Sequence, residues 1–177
     1  MSQALIDRLW KLERAELAEL RRSLAFEAGT HAPAFRIVEN FAMHTSSRFE
    51  SDMYYLVAGL FALVERPNPD KPVPYLEPRN LGLSVAELFV ARQKSKSIED
   101  RFIALLDADI DQVQYRLRQM IALLKDTALI DWVELLKDLK YWNAESKTTQ
   151  RKWAKSFYRH INTATDTSQT PATPKEN

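Results

Sequence analysis

Hydrophobic residues recur along this chain at helical spacing almost from end to end. Between Gln3 and Ala28, Leu5, Ile6, Leu9, Leu12, Leu17, Leu20 and Leu24 fall on one face, which predicts a long first helix stopped near Gly29. Pro33 opens a shorter second helix that holds Phe35, Ile37, Val38 and Phe41. The run "SDMYYLVAGLFALVE" is apolar nearly all round, as a helix buried at the centre of a fold would be.

The pattern then breaks. "RPNPDKPVPYLEPRNLG" contains five of the chain's eight prolines, and proline removes backbone donors and blocks a continuing helix. Helical periodicity resumes at Ser84, which with Glu87 forms a capping-box pattern ahead of a fourth helix, Val85 to Lys94. Ser97 caps a fifth, Ile98 to Asp107. A sixth, Ile110 to Lys125, carries the stripe Ile110, Val113, Leu117, Met120, Ile121 and Leu124. "DWVELLKDLKYW" is a seventh, with Asp131 at its start, where an acid suits the positive end of the helix dipole. The eighth runs from Ser146 to Ile161. The predicted fold is all-α: about eight helices in two small lobes, 1–66 and 84–161, joined by a proline-rich connector, 67–83. The polar tail 162–177 lacks hydrophobic bulk and is expected to be disordered.

Composition narrows the function. The chain has 177 residues and a formal net charge of +1, so only the distribution of charge can argue for a polyanionic partner. It has no cysteine, which removes disulfides, zinc–thiolate sites and thiol chemistry and fits a reducing compartment. The N-terminal residues, acidic from Asp7 onward and without a long apolar run, do not resemble a signal peptide. No run of about 18 apolar residues predicts a membrane span. With three glycines, phosphate-cradling loops are not expected.

Candidate catalytic chemistry is thin. His31, His44 and His160 are far apart and have no ligand-type partner one turn away, so no metal or other cofactor is expected. "DADID" places Asp107, Asp109 and Asp111 at calcium-loop spacing. Gln112 then stands where the loop needs glycine, and Arg118 where it needs a bidentate acid. The run reads as an acidic connector. Neither a nucleophile elbow nor a dinucleotide fingerprint occurs.

The basic residues are more informative. In the eighth helix Lys147, Arg151, Lys155 and Arg159 are spaced by four, so the stripe drifts by only about 40° per step. Lys152 is expected on the same side. Trp153, Phe157 and Ile161, joined by Ala154, form the opposite, apolar stripe, with Tyr158 at its border. Solvated faces usually mix charge signs, yet no acid lies between Lys147 and Arg159. A polyanion would offset the resulting repulsion. Arg21 and Arg22, Lys94 and Lys96, Arg101, and Arg118 are weaker candidates. Lys94 also suits the C-terminal end of its helix, and Arg101 suits an ion pair with Glu99 or Asp100.

The run from "SIEDRF" to "WAKSFY" resembles the C-terminal half of the CasB family, the small subunit of the type I-E CRISPR surveillance complex, Cascade. The resemblance lies in "RF" followed by "LL", in "IDW…LL.DL..W", and in "Q..WA.SFY". "LAELRRSL", "YYLVAGLFAL" and "NLGLSVAEL" extend it to about Leu5–Tyr158. It implies a non-enzymatic, prokaryotic cytoplasmic protein paired with a second copy of itself. It also implies contact with the backbone and large Cascade subunits. Its basic surface would hold the displaced strand of target DNA near the hybrid with guide RNA. By local motif the family's basic positions fall on Arg21, Arg22, Arg101, Arg118 and the Arg151–Lys155 stretch. Lys94 and Lys96 rest on charge alone. The alternative is an assembly scaffold without direct nucleic-acid contact.

Overall fold

The computed structural model describes residues 1–67, 70 and 76–167. The described residues form nine α-helices and no strand: α1 Ser2–Leu9, α2 Arg14–Ser23, α3 Phe35–Ala42, α4 Arg48–Val64, α5 Leu81–Ala91, α6 Lys96–Leu106, α7 Val113–Leu124, α8 Trp132–Lys140 and α9 Thr148–Thr167. A 3₁₀ turn, Ala32–Ala34, leads into α3.

The long first helix is in fact two. Glu13 caps α2 through a reciprocal capping box with Glu16, so a new helix starts where periodicity alone predicts continuation. Leu5, Leu9, Leu12 and Leu20 are still fully buried. The start of α5 also moves. Asn80, not Ser84, is its N-cap and accepts from the Leu83 N–H, so Leu81–Leu83 of the expected connector are helical. Ser84 is buried inside α5 and donates its hydroxyl to the Leu129 carbonyl at 2.6 Å. Ser95, rather than Ser97, is the N-cap position of α6. α7 begins at Val113, and Ile110 is left exposed in the preceding turn. There Asp109 accepts the N–H groups of Asp111 and Gln112, which gives the acidic connector a turn-stabilising role. Residues 68, 69 and 71–75 of the proline-rich segment, and the tail beyond Thr167, lie outside the described residues. α9 runs six residues into that expected tail.

α4 is the central element: Met53 to Ala62 are all buried. It packs on α2 and α3 and also on α7 and α8, so the buried apolar side chains form one cluster. Among the described residues the most extensive helix–helix contact is α5 with α9. Gly82 makes it possible, because a Cβ there would stand 2.0 Å from the Trp153 carbonyl oxygen. Among the described residues no helix is long and apolar enough to cross a membrane.

Candidate nucleic-acid interface

α9 is mounted by its apolar stripe. Trp153 and Phe157 are fully buried; Phe157 meets Phe89 of α5 and Phe102 of α6, and Trp153 meets Trp142. Polar contacts set the helix's rotation. The Trp153 indole donates to Asp138 Oδ2 at 2.7 Å, Thr149 to the Asp138 carbonyl, and Asn80 Nδ2 to Ser156 Oγ at 2.8 Å. Asn80 thus caps α5 and ties it to α9. With this face held inward, Arg151, Lys155 and Arg159 are exposed, and none of them pairs with an acid among the described residues.

Lys152 has a different environment from the outward one its spacing predicts. It turns across to α8 and bridges Glu134 and Asp138, at 2.5 and 2.7 Å. These acids are themselves one turn apart, and the ammonium relieves their repulsion. Burial holds the Asp138 carboxyl above the ordinary range, against the opposing bonds from Lys152 and Trp153. For Lys152 burial acts downward, but its bonds to Asp138 and Glu134 outweigh that and raise its pKa. The structure therefore ties Lys152 into the α8–α9 joint. Lys147 stands just before α9 with φ of 48°, off the helical stripe, and lies 3.8 Å from Asp107. Tyr158, at the border, donates to Glu99 of α6.

The other candidates separate similarly. Arg22 is paired with Glu19, and Lys96 with Asp100 at 3.0 Å. Lys94 occupies the left-handed turn that closes α5, its N–H on the Phe89 carbonyl at 2.8 Å. Arg21 and Arg101 are exposed and lack an ion pair among the described residues. Arg118 donates Nη1 to the Leu24 carbonyl at 2.7 Å, which brings it to the end of α2 that bears Arg21 and Arg22. Arg21 instead lines a cleft with Arg14, Glu65 and Arg66, and the α9 face is mounted separately, on α5, α6 and α8. Sequence reasoning passed over two aromatics beside Arg118: Phe26 is 55% exposed and Tyr115 is 62% exposed. Tyr115 interrupts the polar face of α7, which was the available signal. Among the described residues no three acidic or histidine side chains are clustered to hold a metal ion.

A family model described as CRISPR-associated protein Cse2 matches residues 16–158. A CRISPR-associated protein Cse2 of Thermus thermophilus is 38% identical over 146 residues, spanning 81% of this chain and 79% of that protein. The crystal structure of M. ruber CasB superposes with a TM-score of 0.78 at 36% identity, covering 95% of this chain and 98% of that one. A chain of a CRISPR RNA-guided surveillance complex gives 0.79 at 26% identity, covering 95% and 97%.

Proposed function

The chain belongs to the CRISPR-associated Cse2 family, and from that premise we propose that it is a non-catalytic small subunit of an RNA-guided surveillance complex. In this reading it sits beside the backbone and large subunits of Cascade, paired with a second copy of itself. It steadies the opened target by gripping the displaced DNA strand and the backbone of the guide–target hybrid. The observation that carries the reading is the outward face of α9, where Arg151, Lys155 and Arg159 stand exposed without an acid to neutralise them among the described residues.

Exchanging a DNA duplex for a guide–target hybrid is nearly balanced, so a few contacts that withhold the displaced strand can tip it. Lysine and arginine suit this because phosphates are common to every sequence. A near-neutral chain needs little affinity of its own, since a complex would present it at high effective concentration. The test is a complex assembled with Arg151→Glu/Lys155→Glu. Normal assembly with weakened opening of target DNA supports the reading. Normal assembly with wild-type opening refutes it and favours a scaffold.

A further inference from the structure

We propose that the cleft between α7 and the loop after α2 receives one unstacked base of a single-stranded nucleic acid. The proposal rests on the reading of the chain as a nucleic-acid-contacting subunit and names a second kind of contact, to a base rather than to phosphate. The cleft has a volume of about 290 Å³, at the lower end of the range of small-molecule sites and suited to one flat ring.

Its walls are aromatic and held in place. Phe26 lies on His31 with ring centroids 4.9 Å apart and planes within 17°. Tyr115 faces the cleft from α7, and its hydroxyl is fixed by Gln119 Nε2 at 2.7 Å. A protein gains nothing in its own stability by leaving two large rings in water beside one cleft, whereas rings offered to solvent are what a base stacks on. Polar groups line the same space. Gln114 can donate or accept along a base edge, and Asp111 can accept from a ring N–H or an amino group. Arg118 spends one guanidinium N–H on the Leu24 carbonyl, which orients the rest of the fork at the cleft, where a neighbouring phosphate would lie. None of these groups selects one base, which suits a subunit that meets every target sequence.

The experiment uses the full chain at low salt and two fluorescent probes of equal length, a DNA single strand and the same backbone with every base removed. The base-bearing strand should bind about tenfold more tightly, a stacking-sized effect. Phe26→Ala/Tyr115→Ala should erase that ratio and leave affinity for the abasic strand unchanged. Tyr115→Phe, which keeps the ring, should retain the ratio and guards against a folding artefact. Arg151→Glu/Lys155→Glu should weaken both probes alike. Equal binding of the two probes by wild type, or an unchanged ratio in the double alanine variant, overturns the proposal. So does a double variant that fails to assemble with other subunits while the wild-type ratio is one, which would make the cleft a protein-docking site. Unchanged affinity for both probes in Arg151→Glu/Lys155→Glu counts against the basic-face reading instead.

Discussion

Lys152 and Lys155 stand three positions apart on one helix, and their surroundings assign them different work. Lys152 bridges Glu134 and Asp138 and ties α9 to α8. Lys155 is exposed and pairs with no described acid. Lys152→Met should therefore cost about 2 kcal/mol, the scale of losing hydrogen bonds to charged groups, read as a lower unfolding midpoint. Lys155→Met should change stability by less than about 0.5 kcal/mol and instead weaken DNA capture by the complex. The reverse pattern would contradict the assignment. A pH dependence follows as well. Lys152, and Lys140 paired with Glu50 at 2.7 Å, both have folded pKa values above the ordinary range, because bonds to acids outweigh burial. Their stabilisation is fully present below the unfolded value of about 10.4 and is lost as pH rises through the folded values. Thermal melts from pH 9 upward, on the order of two units, should fall less steeply for Lys140→Met than for wild type. Spacing along α9 could not reveal the fate of Lys152, because its partners lie on another helix. The hint was the acid pair Glu134 and Asp138, one turn apart and in need of a cation.

At the scale of elements, α9 was legible because its apolar stripe has a single reading: Trp153 and Phe157 are buried, as periodicity predicts. α4 was legible for the same reason. Helix boundaries were not. α2 is capped by a glutamate, an uncommon choice, and Asn80 was hidden behind the more conspicuous Ser84. Those caps matter for how α9 is held, since Asn80 starts α5 and also bonds Ser156 of α9. Asn80→Ala should cost about 1–2 kcal/mol, more than a surface cap alone. Gly82→Ala is the sharper test of the α5–α9 crossing. Its Cβ would meet Trp153 backbone, which cannot rotate away, so α9 must move. A loss on the order of 3 kcal/mol is expected, with faster hydrogen exchange in α9 than in α4. A Gly82→Ala variant with wild-type stability would show that the crossing is looser than described.

For the whole molecule, an almost balanced total charge conceals its uneven distribution. The 25 lysines and arginines nearly cancel against 24 acids, and α9 gathers cations on one face while α8 supplies acids to its inner edge. The sequence pattern exposed the concentration of charge. The tertiary fold was needed to tell the cations engaged within the protein from those left facing solvent. The most direct measurement is the salt dependence of target-DNA binding by the assembled complex, with wild-type subunit and with Arg151→Glu/Lys155→Glu/Arg159→Glu. If these side chains hold a single-stranded backbone, the slope of log affinity against log salt should become shallower by about 2, three contacts at about 0.7 each. An unchanged slope in a fully assembled variant complex would contradict the account.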